Sequence, residues 1–326
     1  MDHPLDENAC EYVSSRGIMK SCSVKSTTPL SSIRMVIETD IQALTPDNNI
    51  LYVCASAIPH FCDQLFASLP CPIVLVTGDC DEDCPTNMFH DHESFLRFIE
   101  SDKIIHWFSQ NCVGRHPKLS PIPIGLDYHT MSTGVTYWGP MTRPFDQERL
   151  LKCIKKSARP FWERKCAAYS NFHFAMTTRY GDDRIDAKSK IDAAAVYYEP
   201  EQVIRLRSWK TQAKYAFVVS PHGNGLDCHR TWEALCLGCI PIVKTSTLDP
   251  LYNGLPVCIV GDWSEVTVEK MAVVMRQFQS YTFDLDRLTL RYWMTKIRAV
   301  SKMPLPKPAP PKPVFSQMFS GLIHTQ

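Results

Sequence analysis

No long hydrophobic run occurs in this chain, and that absence already excludes some functions. Met1 to Lys20 carries acids and polar side chains and has no apolar h-region, and nowhere do eighteen apolar residues stand together. Neither a signal peptide nor a membrane span is therefore expected, and a cytoplasmic location follows as the expectation. An excess of one charge is missing too. Thirty-five Lys and Arg face thirty-four Asp and Glu, for a net charge of +1. With no basic stripe there is no general pull toward nucleic acid or an anionic membrane, so any anion must be gripped locally. Cys236-Leu-Gly-Cys239 has redox or zinc spacing, but no second pair accompanies it and no metal is expected there. The fourteen cysteines are spread irregularly through apolar segments, which suits reduced, buried thiols rather than a disulfide frame. No solenoid-type repeat is visible. Glycine is scarce, thirteen in 326 residues, so the places where it clusters are informative.

What is present is an alternation of strand and helix patterns. Asn49–Ala55 (NILYVCA) is a continuous β-rich run, Phe61–Leu69 follows a helical period, and Pro70–Thr77 is a second strand leading into Gly78-Asp79-Cys80-Asp81-Glu82-Asp83. A short helix over Phe95–Glu100, a strand over Lys103–Phe108 and a strand over Pro121–Ile124 follow. Such alternation predicts a parallel sheet with helices on both faces, whose ligands meet the loops at the carboxyl ends of the strands. Those loops hold His60, Asp79, Asp81, Asp127 and His129. Met131–Pro144 lacks periodicity and reads as an interdomain connection, after which Phe145–Ser157 opens a second α/β series with strands over Lys165–Met176, Ala193–Tyr198, Tyr215–Val219, Ile240–Val243 and Leu255–Val260. Helices are expected over Glu201–Lys214, Val268–Phe278 and Leu285–Val300. Met1 to about Thr28 reads as an arm or edge element, Ser32–Glu38 as strand-like, and Lys302–Pro313 (KMPLPKPAPPKP) as a polyproline strap or linker. The domains expected are 1–140, 141–300 and a Pro-rich tail over 301–326.

One stretch carries the chemistry. After the apolar run Tyr215–Val219 comes Ser220-Pro221-His222-Gly223-Asn224-Gly225-Leu226-Asp227, then a helical pattern ending at Gly238-Cys239-Ile240-Pro241. Gly223 and Gly225 would allow positive φ and close approach of a ligand to the peptide amides. Asp227 is the expected N-cap, setting the positive end of the helix beside the loop as a seat for phosphate. Arg230 and Glu233, three apart, share a helix face. The arginine could hold a diphosphate and the glutamate the hydroxyls of a ribose.

The string SPHGNGLDCHRTWEALCLGCIPI, Ser220 to Ile242, resembles the nucleotide-sugar motif of exostosin-like glycosyltransferases, and looks most like versions encoded by large DNA viruses of algae and protists. Its location would then be the cytoplasm of a host cell. The resemblance extends in weakening degree over about Asn49 to Val268. It implies a GT-B fold of two Rossmann-like domains with parallel sheets facing across a cleft, and an inverting reaction that needs no metal and no other cofactor. The implied donor is a UDP-sugar, with UDP-xylose as first expectation, and the acceptor a glycan or glycoprotein hydroxyl. The resemblance also supports a phosphate-clamping arginine in the loop after Lys165–Met176, where Arg179 and Arg184 are the candidates. His222 and Asn224 would contact the donor sugar or its phosphate.

The acceptor needs a base from the first domain, and His60, Asp79 and Asp81 stand as unranked candidates. Two alternatives stay open at this stage. Asp79 and Asp81, spaced one apart after a strand, could be the metal-diphosphate handle of a GT-A-like, metal-dependent transferase. A nucleotide-sugar-binding protein without catalysis would keep the same donor loop.

Overall fold

The structure is a computed structural model and describes residues 6–25, 40–172 and 177–302. The strand-like Ser32–Glu38 and nearly all of the Pro-rich tail lie outside the described residues. The elements run α1 (Ser15–Ser21), β1 (Ile50–Cys54), α2 (Ile58–Gln64), β2 (Ile73–Gly78), α3 (His92–Ile99), β3 (Ile104–Ser109), β4 (Leu119–Pro121), α4 (His129–Ser132) and α5 (Pro144–Ser157). The second series runs β5 (Lys165–Ser170), α6 (Gly181–Lys190), β6 (Val196–Tyr198), α7 (Arg205–Gln212), β7 (Tyr215–Val219), α8 (His229–Cys236), β8 (Ile240–Lys244), β9 (Cys258–Val260), α9 (Val268–Gln279) and α10 (Leu290–Ser301).

Two all-parallel sheets result, ordered β1-β2-β3-β4 and β6-β5-β7-β8-β9. Every residue of β1, β2 and β7 is buried, as the unbroken apolar runs require of strands covered on both faces. Two Rossmann-like α/β lobes thus turn the carboxyl ends of their strands toward each other, as expected of a GT-B architecture.

The core has three parts. Helices α2 and α3 cover one face of the first sheet, with Phe61, Phe95 and Phe98 in one cluster with Trp107 of β3, and α6 and α9 contribute Ala187, Met271 and Val274 to a core cluster of the second. A third cluster runs from one lobe into the other, joining Val74, Val76 and Phe108 to Val218, Trp232 and Leu235.

Of the two expectations for the N-terminal segment, the edge element holds and the arm does not, because residues 6–25 are packed. Ile18 and Met19 of α1 are buried, and Val24 extends the edge of β1, its N–H donating to Ile50 O at 3.0 Å while Tyr52 N–H donates to Val24 O at 2.8 Å. Helix α10, expected with the second domain, returns to pack on α1, β2 and β3 of the first, burying Trp293, Met294 and Ile297.

Candidate functional site

In the second sheet the chain leaves β5, goes to β6 on one side, then returns to β7 on the other side of β5. That reversal is a topological switch point, where the loops leaving adjacent strands diverge and open a crevice. Asn171 after β5 and the 220–228 loop after β7 flank it, and the loops after β2 and β4 of the first lobe close it from the opposite side. The open cavity between them measures about 430 Å³ and is lined by Arg184, Gly223, Asn224, Gly225, Arg230 and Glu233 from the second lobe and by Asp81, Ile124 and Asp127 from the first.

Arg184 enters from α6. Its Nε donates to His222 O at 3.2 Å. Arg230, on the first turn of α8, donates from Nη1 to Pro221 O at 3.4 Å, and its guanidinium lies 5.7 Å from the centroid of the Phe172 ring. Burial and then the like charge of Arg184 lower the pKa of Arg230, so an anion between the two guanidiniums would relieve a standing repulsion. Glu233, one turn further along α8, faces the same cavity, with Oε1 3.6 Å from Arg205 Nε. The shared face expected of Arg230 and Glu233 is what the structure has.

Other expected residues are placed differently. Gly223 and Gly225 do not adopt positive φ, unlike Gly125, Gly139, Gly238 and Gly254. Glycine is needed there because a Cβ on Gly223 would lie 2.8 Å from Arg184 Nη2, and one on Gly225 would lie 2.8 Å from Asn111 Nδ2. Asp227 is not the N-cap. Cys228 occupies that position, and no side chain caps the helix. The buried Asp227 carboxylate instead accepts from Ile124 N–H of the first lobe at 2.8 Å and from Trp232 Nε1 at 2.9 and 3.0 Å. Burial pushes its pKa up to about 6. His222 is buried behind the loop and does not line the cavity. Its N–H donates to Asp183 Oδ2 at 2.9 Å, and its Nδ1 donates to Leu226 O at 2.8 Å, so the side chain shapes the loop. Asn224 does line the cavity and donates across it to Asp81 Oδ2 at 3.0 Å.

The two arginine candidates separate. Arg184 lines the cavity. Arg179 reaches the first lobe at the exposed rim, donating to Asp81 O at 2.9 Å and to Glu82 Oε2 at 2.8 Å. The three base candidates also part company. His60 lies in the first turns of α2, half-buried and away from the cavity lining. Asp79 is buried, outside the lining, and 3.3 Å from Arg16 Nε of α1. Asp81 alone faces the cavity. The Asp79/Asp81 handle of the metal-dependent alternative is thereby split between two environments. Among the described residues no group of three or more His, Cys, Asp or Glu side chains could hold a metal ion. All fourteen cysteines are free, including Cys236 and Cys239.

No protein-family model matches the chain, and no curated protein is significantly similar to it. Among solved structures the chain is similar to a UDP-forming α,α-trehalose-phosphate synthase from Burkholderia xenovorans, at 10% identity and a TM-score of 0.39, over 80% of this chain and 75% of that one. It is similar to the corresponding enzyme from Burkholderia vietnamiensis at 10% identity and a TM-score of 0.38, over 80% and 76%. A third structure, the Burkholderia xenovorans enzyme in complex with glucose-6-phosphate, aligns at 11% identity and a TM-score of 0.33, over 80% and 73%.

Sequence reasoning passed over several cavity residues. Arg205, on α7, is buried and donates from Nη2 to Asp127 Oδ2 at 2.7 Å while standing near Glu233, which ties the two lobes together at the back of the cleft. Its guanidinium lies 5.7 Å from the Trp138 ring centroid. Trp138 and Tyr137 belong to the connection between lobes, where the aromatics of a non-periodic stretch were the available signal. His229 also lines the cavity. It stands immediately before Arg230 in the string already singled out, and its side chain had been given no role.

Proposed function

We propose that the chain is an exostosin-like, inverting glycosyltransferase that moves a sugar from a nucleoside-diphosphate donor, a UDP-sugar with UDP-xylose the first to test, to a hydroxyl of a glycan or glycoprotein. The observation that carries the reading is the meeting of Arg184, Arg230, the Gly223–Gly225 loop and Glu233 on one wall of one cavity at a strand-order switch point. Transfer of this kind leaves negative charge on the departing diphosphate. Two guanidiniums already in place would stabilise it without a divalent ion, because preorganised cations in a partly dehydrated cleft need little rearrangement as the charge develops. Glu233 would accept the ribose hydroxyls, held in position by Arg205, and the acceptor would enter against Asp81 and the loop that follows β4.

The test is a thermal-shift panel of nucleoside diphosphates and nucleotide sugars. A ligand at tenfold its Kd adds about 1.4 kcal/mol, enough to raise Tm measurably. Arg184→Ala and Arg230→Ala are each expected to weaken that ligand about 10- to 100-fold, since a hydrogen bond to a charged group contributes about 1.5–3 kcal/mol. An undiminished shift in both variants would remove the diphosphate from this wall. Turnover that continues in excess chelator is expected from the same reading, and its loss would reinstate the metal-dependent alternative.

A further inference from the structure

The cavity contains one imidazole among its described lining residues, that of His229, and we propose that it is the general base of the transfer, taking the proton of the acceptor hydroxyl at Nε2. The inference rests on the donor-site reading above and adds to it the group that activates the nucleophile.

Position comes first. Donor phosphates held by Arg230 and an acceptor entering from the first lobe must meet between the lobes. His229 is the first residue of α8, adjacent in sequence to Arg230, and its ring reaches across to the first lobe, with Nδ1 2.7 Å from Gly125 O. A carbonyl oxygen can only accept, so Nδ1 carries the proton and the lone pair lies on Nε2. No hydrogen bond to Nε2 is made among the described residues. A ring held in one tautomer, its second nitrogen left to accept, on a residue that lines the cavity is the arrangement a general base requires.

The carboxylates in the same cavity are less suited. Against the opposing effect of burial, Arg205 holds Asp127 well below the usual carboxylate range, which makes it a weak base. Asp227 already accepts from Ile124 N–H and Trp232 Nε1. Glu233 faces Arg205 and is assigned to the ribose. Asp81, bound to Asn224 at the rim, is the one rival. Asp127 and Asp227 both interact electrostatically with His229, which places two carboxylates beside the ring. His129 stands behind, its ring centroid 6.1 Å from that of His229. Burial lowers its pKa to about 4, so it stays neutral there and adds no competing positive charge near pH 7.

In the step itself the acceptor oxygen bonds to the anomeric carbon while the bond from that carbon to the diphosphate oxygen breaks. The bonding pair leaves on the diphosphate, beside Arg184 and Arg230. The hydroxyl proton moves to Nε2, and the imidazolium later returns it to solvent.

The experiment compares His229→Gln, whose amide can still donate to Gly125 O, with His229→Ala and Asp81→Asn. For each variant the nucleotide-induced thermal shift is measured first, followed by release of nucleoside diphosphate from the stabilising donor, with water and a panel of sugar acceptors. The expected result is an unchanged shift in His229→Gln with turnover lower by about 10² to 10⁴-fold. Added imidazole should restore part of the activity of His229→Ala, and the acid limb of the wild-type pH profile should be missing from the residual activity. The groups facing His229 in that profile are Asp127 and His129 across the cleft, Arg205 on α7 of its own lobe, Asp227 in its own loop, and Arg230 and Glu233 on its own helix. Turnover above a tenth of wild type in His229→Gln, or a collapse confined to Asp81→Asn, overturns the inference and leaves the donor site standing. If no nucleotide stabilises the wild type, or a bound donor is never turned over, the transferase reading itself falls and this inference with it.

Discussion

Gly225 shows how a residue can be recognised for one reason and required for another. Its cluster with Gly223 marked a special loop in the sequence, and backbone freedom was the local explanation. The structure gives a non-local one, because the Asn111 side chain from the first lobe occupies the space a Cβ would need. Asn111 Oδ1 also accepts from Asp227 N–H at 2.9 Å. A contact spanning 116 positions leaves no trace in local spacing, which is also why Asp227 was legible as a polar residue before a helix and not as a strut to Ile124. Arg230 and Glu233 were legible because their relation is one turn of one helix. Glu7 offers a prediction at this scale. Its carboxyl is buried, accepts from Ser14 Oγ at 2.8 Å, and is pushed by burial from 4.5 up to about 7. The native state therefore binds more protons than the unfolded chain between those pH values, and this group's contribution to stability falls as pH rises through them. Above about pH 7 the loss is complete, on the order of 3 kcal/mol. Glu7→Gln is expected to melt higher than wild type at pH 8 and close to it at pH 4.5. Parallel melting curves across that range would refute the assignment.

At the scale of elements, the strands were the most readable part of the chain. Unbroken β-branched runs at 49–55, 70–77 and 215–219 fell within two or three residues of β1, β2 and β7, because a strand buried on both faces has no polar alternation to obscure it. Helix starts were less readable. Helix α8 begins one residue later than Asp227 as N-cap would have placed it, since a competing partner had claimed the capping side chain. Segment 6–25 was harder still, with its polar composition concealing a short helix that docks through Ile18 and Met19. Helix α10 repeats the apolar stripe expected of it but applies that stripe to the other lobe's sheet. Trp293 is 1% exposed and its Nε1 donates to Arg287 O at 2.8 Å. Trp293→Ala should cost about 3–5 kcal/mol, measured by denaturant unfolding, and should lower the stability of the first lobe even though the residue lies 172 positions past the end of its last strand. A change confined to the second lobe in hydrogen exchange would contradict this packing.

For the molecule as a whole, the two lobes are joined by more than a hinge. Arg205 binds Asp127 with both groups under a tenth exposed, Asp227 accepts from Ile124, Arg179 reaches Glu82, and the central core cluster is continuous from one sheet to the other. Breaking one partner of a buried ion pair leaves a stranded charge and typically costs about 3–5 kcal/mol, so the closed arrangement has several independent sources of cohesion.

The returning course of α10 has a topological consequence. A polypeptide severed in the 133–143 linker would not yield two autonomous halves, because the leading fragment would lack the helix that roofs β2 and β3. Each fragment alone should be poorly structured, whereas the pair expressed together should reassemble into a noncovalent complex that co-purifies and melts as one body.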